Sequence, residues 1–247
     1  MTTRGWNQNP VSIAQLRIMP LHAVTEVHGT PGLRQRLTLE LAQLPEEPRV
    51  TVAEAAKWAA TLHADQARTR EPYVNHVLRV ALRMLCHYRV TDPQVLAAGL
   101  LHDAVEDQPW AVAGITEHGP PPVRQALTAI EGRFGSRVAR LVEAVTMPER
   151  PAGVDRIEHY VEHLAMVLDV EPWARVIKLS DFTDNGVGLI HTIGPKVLKS
   201  ARKYDAAVPV LRELLDREDT PLESDVKHHI RGQLGLAQRR FAAILAA

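Results

Sequence analysis

Apolar residues recur at three- and four-residue intervals along most of the chain after residue 50, a spacing typical of helices that bury one face. The pattern predicts helices over these segments: 51–67, 73–88, 91–107, 122–133, 136–146, 154–168, 172–188, 195–216 and 222–245. Two of them begin with capping signals: Thr51-Val-Ala-Glu54, and Thr91-Asp-Pro-Gln94 with a proline in the first turn and a glutamine at the third position. No alternating strand pattern follows residue 50 and no internal repeat is found, so we predict an all-α, bundle-like domain.

The chain has less regular stretches before and between these segments. Residues 11–22 (VSIAQLRIMPLH) indicate a short extended piece, and residues 31–44 (PGLRQRLTLELAQL) indicate a helix. Glycine and proline punctuate residues 108–121, which predicts a loop, and residues 217–221 form a polar break. We therefore divide the chain into three parts: an N-terminal extension (1–48), a helical domain (49–216) and a C-terminal helix packing on that domain (217–247).

The composition is that of an ordinary globular chain, with 45% apolar and 23% charged residues among 247. Its 29 basic and 29 acidic residues balance, which argues neither for nor against a nucleic-acid or membrane-surface partner, and we expect neither partner. The single cysteine, Cys86, excludes an internal disulfide and fits a reducing compartment. The N-terminus lacks a signal-peptide pattern and no apolar run could span a bilayer, so we expect a cytoplasmic protein.

Residues 100–107 (LLHDAVED) place a histidine and three carboxylates at the end of an apolar segment. On one helix, His102 lies four residues before Glu106, and Asp103 lies four residues before Asp107, so the side chains share neighbouring stripes. Carboxylates are unfavourable at a helix C-terminus by roughly 0.3–1 kcal/mol each, because the helix dipole is negative there. A bound cation would offset this cost. The alternative interpretation is a solvated acidic helix end.

Two further polar positions interrupt apolar helices. His76 lies in the segment EPYVNHVLRVALRML, where a hydrogen-bonded core histidine is the common role. Asp181 shares a stripe with Lys178 and Asn185, and a buried carboxylate needs a partner, which the lysine could supply. His76, His102, Asp103 and Asp181 together would make a set of two imidazoles and two carboxylates that suits Mn²⁺, Fe²⁺, Zn²⁺ or Mg²⁺.

The order of these motifs resembles a known family. A histidine, a His-Asp pair and a distant aspartate on successive helices are similar to the HD metal-dependent phosphohydrolases. Four segments resemble the RelA/SpoT-type alarmone hydrolases more narrowly: 66–81, 97–107, 134–146 and 175–185. The resemblance covers roughly residues 50–215, and its most specific parts are the Glu106-Asp107 pair and the asparagine four residues after Asp181. The chain looks like a stand-alone small alarmone hydrolase, because no synthetase-like domain follows.

This resemblance implies an HD-domain helical bundle that hydrolyses the 3′-pyrophosphate of (p)ppGpp to GDP or GTP and pyrophosphate. It implies Mn²⁺ as the cofactor, with another divalent metal as an alternative, and a small-molecule nucleotide as the partner. The implied metal ligands are His76, His102, Asp103 and Asp181. Glu106 and Asp107 would orient and deprotonate the attacking water. The implied substrate contacts are Arg68 on the base, Asn185 on the ribose or a phosphate, and Lys199 and Tyr204 in the basic run at 196–204.

The chain departs from the family pattern at several points. The basic segment before Glu71 is one residue shorter than usual and contains Arg70 in place of the expected lysine. Gly186 and Val187 stand where an arginine often follows the asparagine, and the connection at 108–121 is longer than usual. Two alternatives therefore stay open: a phosphohydrolase for another nucleotide, such as an adenine alarmone, and a non-catalytic alarmone-binding module. The sequence also leaves a homo-oligomer open.

Overall fold

The computed structural model describes residues 13–246, which fold as helices joined by short connections, without a β-sheet in that range. The α-helices are α1 (Ile13–Ile18), α2 (Leu21–Leu41), α3 (Glu46–Leu62), α4 (Val74–Cys86), α5 (Pro93–Leu101), α6 (Ala104–Asp107), α7 (Pro109–Ala113), α8 (Val123–Phe134), α9 (Ser136–Val145), α10 (Arg156–Val170), α11 (Pro172–Asn185), α12 (Lys196–Asp216) and α13 (Ser224–Leu245). A 3-10 helix spans Val187–His191. The predicted all-α fold is confirmed.

Helices α4, α5 and α11 form the centre of the bundle. Every residue of α5 from Val95 to Leu101 is buried, and so is every residue of α4 from Val74 to Met84. Helix α4 packs against α2, α5 and α11, and α5 also packs against α3 and α9. Because neighbouring helices enclose both α4 and α5, the polar side chains that these helices carry lie inside the protein.

The prediction of an extended piece at residues 11–22 is wrong over the described part. Ile13–Ile18 forms α1, and α2 begins at Leu21. Leu16 and Val24 are buried there, so packing on the domain decides the conformation against a local pattern of alternating apolar residues. The predicted helix at 31–44 corresponds to the second half of α2, which kinks at Gly29, where φ is +59°. Residues 1–12 lie outside the described residues.

The predicted capping box at Thr51 is also wrong, because α3 begins earlier, at Glu46. Pro45 precedes this start, and Glu46 and Glu47 supply negative charge in the first turn, where the helix dipole favours it. Thr51 lies inside the helix, and its hydroxyl donates to the carbonyl oxygen of Glu47 at 3.4 Å. The predicted boundary after residue 48 falls within α3, and the three-part division of the chain stays a prediction.

The capping signal at 91–94 does lie at the start of α5, and the capping side chain is that of Asp92, which accepts hydrogen bonds from the backbone N–H groups of Gln94 and Val95. The continuous helix predicted from 91 to 107 is wrong. It breaks after Leu101, and His102 and Asp103 form the turn between α5 and α6. The predicted loop at 108–121 contains the short helix α7, which starts with proline in its first turn.

Two C-terminal boundaries differ little from expectation. The helix predicted over 172–188 ends at Asn185 and continues as the 3-10 helix, while the polar break at 217–221 separates α12 from α13 as predicted. Helix α13 packs along α12. Among the described residues, no helix has both the length and the apolar character needed to cross a membrane.

Candidate active site

Four polar side chains from three central elements meet inside the bundle. His76 comes from α4, Asp181 from α11, and His102 and Asp103 from the turn between α5 and α6. The Oδ2 atom of Asp103 lies 3.4 Å from Nε2 of His76 and 3.0 Å from Nε2 of His102. Oδ1 of Asp181 lies 3.3 Å and 3.7 Å from the same two nitrogens. The structure therefore brings together the four residues that the resemblance implied as metal ligands.

Both histidines are held through their other ring nitrogen. Nδ1 of His102 donates to the carbonyl oxygen of Gly99 at 2.8 Å, and Nδ1 of His76 donates to a carboxylate oxygen of Asp184 at 2.8 Å. Each Nε2 therefore points into the cluster, where it is buried without a hydrogen-bond partner. Buried polar atoms are normally satisfied, so two unsatisfied imidazole nitrogens facing two carboxylates fit a divalent cation. The candidate ligand atoms of His76, His102 and Asp181 all lie within 4.8 Å of one another.

The electrostatics of the cluster also favour a bound cation. Burial disfavours the charged imidazolium, yet the carboxylates of Asp103 and Asp181 raise the pKa of His102 to about 10. Burial would likewise raise the pKa of Asp103, but His102 and His76 hold it well below its usual range. The two carboxylates thus attract positive charge into a buried space, either as protons on the histidines or as a metal ion.

Asp181 has two polar partners on its own helix. Its Oδ2 lies 2.9 Å from Nζ of Lys178, and its Oδ1 accepts a hydrogen bond from the amide nitrogen of Asn185 at 2.5 Å. The ion pair with Lys178 and the place beside the histidines are therefore compatible, because each uses a different carboxylate oxygen. Asn185 contacts a candidate metal ligand directly and also lines the adjoining cavity.

The carboxylates of Glu106 and Asp107 lie at the exposed edge of the cluster. Glu106 accepts a hydrogen bond from the backbone N–H of Met147 at 3.1 Å, and Asp107 accepts one from the side chain of Gln66 at 2.8 Å. Partial shielding from water raises the pKa of Glu106, and the charge of Asp103 adds to this effect. A carboxylate with a raised pKa is a stronger base than one in free solution.

A cavity of about 620 Å³ opens beside the cluster. Arg68 and Asn185 line it as expected of substrate contacts, and Arg68 lies over the ring of Tyr73, 5.0 Å from its centroid. The hydroxyl of Tyr73 donates to Oδ2 of Asp103 at 2.6 Å, so the cavity wall touches the candidate metal site. Basic and neutral polar residues that also line the cavity include His22, Arg70, Arg79, His191, Lys196 and Ser200, and two acidic residues, Glu71 and Asp184, line it as well.

The other two predicted substrate contacts, Lys199 and Tyr204, are not among the residues that line the cavity. Lys199 is exposed on α12 and is not among the residues lining the cavity, whereas Lys196, one turn earlier, is. Tyr204 packs edge-on against Phe182 of α11, with ring centroids 5.7 Å apart. Neither arrangement tests a contact with substrate, so both remain predictions.

The sequence interpretation missed the buried charges that support the cluster. Asp184 is fully buried and is bound by Arg79 and Arg83 of α4 as well as by His76. Arg79 also pairs with Glu71 at the cavity rim, with distances of 2.6 and 2.7 Å. A signal was present, because arginines three and seven residues after His76 interrupt the same buried face of an apolar helix.

His22 was missed as well, because its segment was predicted as extended. It comes from α2, in the N-terminal region, and its ring stacks on that of His191 with centroids 4.2 Å apart. Nε2 of His22 lies 3.6 Å from Asp184. The N-terminal region therefore contributes a side chain to the wall of the cavity.

Comparison with known proteins places this geometry in a family. A family model described as an HD domain matches residues 55–170. The mouse protein named guanosine-3′,5′-bis(diphosphate) 3′-pyrophosphohydrolase MESH1 is 36% identical over 132 residues, which cover 52% of this chain and 63% of that protein. The Drosophila melanogaster protein of the same name is 31% identical over 141 residues, covering 56% of this chain and 69% of that protein.

A solved structure agrees with these relatives. It is described as a metazoan ortholog of SpoT that hydrolyses ppGpp, and it matches with a TM-score of 0.58 and 25% identity. The match covers 80% of this chain and 97% of that chain. The mouse relative is matched over less than two thirds of its length, whereas the Drosophila relative is matched over more. The chain belongs to the HD-domain family whose members include the 3′-pyrophosphohydrolases named MESH1.

Proposed function

We propose that this protein is a metal-dependent hydrolase that removes the 3′-pyrophosphate of (p)ppGpp, giving GDP or GTP and pyrophosphate. The observation that carries the proposal is the buried cluster of His76, His102, Asp103 and Asp181, with both Nε2 atoms unsatisfied, beside a cavity large enough for a nucleotide. The names of the relatives support the substrate class.

The four residues would hold one divalent cation, which we propose to be Mn²⁺. When bound, such an ion supplies a Lewis acid that lowers the pKa of water and polarises a phosphoryl oxygen. The set of two imidazoles and two carboxylates suits several first-row metals, and carboxylate oxygens are ligands that favour manganese.

The chain's own residues would handle the proton and orient the water. Water attacks the phosphorus attached to the ribose 3′-oxygen, and the bond between that phosphorus and the 3′-oxygen breaks. Glu106 accepts the proton that the water loses, and its raised pKa suits this role. The departing 3′-oxygen takes up a proton to become the hydroxyl of GDP or GTP. Asp107, held by Gln66, would orient the water from the other side.

Cationic side chains around the cavity would bind the nucleotide. Arg68 lies against Tyr73 at the cavity wall, where a planar guanidinium can stack on a base. Arg70 and Lys196 line the same cavity and would neutralise phosphate charge, as basic groups do in phosphoryl transfer. Asn185 would join the candidate metal site to the nucleotide, because it contacts Asp181 and faces the cavity.

The test is direct incubation of purified protein with ppGpp and Mn²⁺, followed by separation of nucleotides by anion-exchange chromatography. We expect equal amounts of GDP and pyrophosphate from the wild type and none from Asp103→Ala. A panel that includes an adenine alarmone and ordinary nucleotides separates the alternatives: preference for another compound would favour a different phosphohydrolase. Binding of ppGpp without product would favour a non-catalytic module. The cytoplasmic location and a homo-oligomeric state remain predictions.

A further inference from the structure

The carboxylate of Asp184 lies directly behind the candidate metal site and accepts hydrogen bonds from His76, Arg79 and Arg83. Its Oδ2 accepts from Nδ1 of His76 at 2.8 Å and from Arg79 at 2.9 Å, while its Oδ1 accepts from Arg79 at 2.9 Å and from Arg83 at 3.0 Å. We propose that Asp184 is a positioning residue that fixes the ring orientation and tautomer of His76, so that Nε2 is presented to the metal.

The geometry supports this role because a histidine can ligate a metal through only one nitrogen at a time here. If Nδ1 carries the proton and donates it to Asp184, the lone pair of Nε2 must face Asp103 and Asp181. A carboxylate behind a ligating histidine also makes the imidazole a stronger donor. The inference rests on the proposed metal site and adds a residue that the motif pattern does not contain.

The two histidines of the cluster are held unequally. His102 donates to the neutral carbonyl oxygen of Gly99, whereas His76 donates to a carboxylate. The carbonyl belongs to the backbone of α5, so side-chain substitution cannot remove it. The hydrogen bond that holds His76 is accepted by the side chain of Asp184, so a substitution of Asp184 can remove it without affecting the hydrogen bond of His102.

The arginines keep this carboxylate charged inside the bundle. A buried carboxylate needs compensation, and Arg79 and Arg83 supply it from one face of α4. Arg79 also reaches Glu71 at the cavity rim and the hydroxyl of Thr25 in α2, at 3.1 Å. Asp184 thus links the candidate metal ligand to α2 and the rim without facing the cluster itself.

The first experiment compares Asp184→Asn with the matched control Arg83→Gln by calorimetric titration of Mn²⁺. Arg83 contacts Asp184 and the carbonyl oxygen of Ser180 but not His76, so its loss tests the structural effect of weakening the same network. We expect Asp184→Asn to weaken Mn²⁺ binding by roughly 10- to 100-fold and Arg83→Gln by less than about threefold.

The second experiment needs no variant, so it holds if Asp184→Asn does not fold. In the wild type loaded with diamagnetic Zn²⁺, nitrogen NMR of His76 should show a protonated Nδ1 and a metal-bound Nε2. Unchanged Mn²⁺ affinity in Asp184→Asn, equal losses in both variants, or metal on Nδ1 of His76 would overturn the inference. A wild type that binds no divalent metal would instead overturn the proposed function, so the two failures are distinguishable.

Discussion

The ammonium of Lys178 lies 2.9 Å from one carboxylate oxygen of Asp181, while the other oxygen of Asp181 faces the two histidines of the cluster. All of these groups are buried. Burial favours the neutral amine, but the carboxylate of Asp181 raises the pKa of Lys178 well above its usual range. Lys178 therefore supplies a fixed positive charge beside the carboxylates of the site.

Replacing Lys178 by methionine should destabilise the metal-free protein more than the metal-bound one. Removing one partner of a buried pair leaves uncompensated charge and costs about 3 kcal/mol in the free energy of unfolding. A bound cation would recover part of this loss, so Mn²⁺ should raise the melting temperature more in Lys178→Met than in the wild type. Urea unfolding with EDTA measures the free energy, thermal unfolding with and without Mn²⁺ measures the melting temperature, and exposed Lys199→Met is the control. Equal stability without metal would contradict the prediction.

Glu106→Gln should reduce kcat by roughly 10²- to 10⁴-fold, because the amide cannot accept the proton of the attacking water. The affinity for Mn²⁺ should stay the same, since Glu106 bonds to the backbone of Met147 and not to the histidines. In the wild type the rate should fall as the pH drops through the pKa of Glu106, because the protonated carboxyl is no base. That pKa is raised, so the acid limb should lie above the ordinary range of a glutamate. Exposed Glu131→Gln is the control, and retained turnover would contradict the assignment.

His22 should contribute to nucleotide binding and not to metal binding. Burial lowers its pKa to about 4 despite the nearby carboxylate of Asp184, so the ring is neutral near pH 7. His22→Ala should raise the KM for ppGpp by about five- to tenfold, the value of one neutral hydrogen bond or ring contact, with Mn²⁺ affinity unchanged. His118→Ala is the matched control, because His118 is exposed in the 108–121 segment.

Gly188→Ala tests the role of His22 in the cavity wall by displacing its ring instead of removing it. A Cβ at Gly188 would lie 2.9 Å from Nε2 of His22, so the imidazole must move away from its place beside His191. We expect the KM to rise in the same direction as in His22→Ala. A normal KM in both variants would show that the histidine pair does not contact the nucleotide.

The candidate metal ligands were predictable because each is a polar residue inside an apolar segment, and such a residue requires a partner. The network of charged residues that supports these ligands was not predictable from the sequence. Asp184 is buried only because Arg79 and Arg83 reach it from a helix distant in the sequence, and no local pattern contains that contact. The turn that carries Asp103 was likewise hidden, because residues 100–107 contain no glycine or proline that would indicate a break in the helix. Tertiary contacts decided both outcomes.

The cap at Asp92 allows a prediction for α5, the helix that ends at Leu101, just before His102. Its carboxylate accepts from two backbone N–H groups at the start of α5 and from Arg137 of α9 at 2.6 Å. Asp92→Ala should lower the free energy of unfolding by about 1–2 kcal/mol, because the first turn of α5 loses its acceptor. Asp92→Asn keeps the cap and loses only a half-exposed ion pair, so its cost should stay below about 1 kcal/mol.

Both Asp92 variants should bind Mn²⁺ like the wild type. The turn with His102 and Asp103 is held at the opposite end of α5, by the carbonyl oxygen of Gly99 and the hydroxyl of Tyr73. Urea unfolding with EDTA measures the stability difference, and titration of Mn²⁺ into the folded variants measures the affinity. If Asp92→Ala weakened Mn²⁺ binding while Asp92→Asn did not, fraying at the start of α5 would be reaching the metal site. The buried packing of α5 from Val95 to Leu101 argues against such coupling, because a rigid helix interior confines the loss of a cap to its first turn.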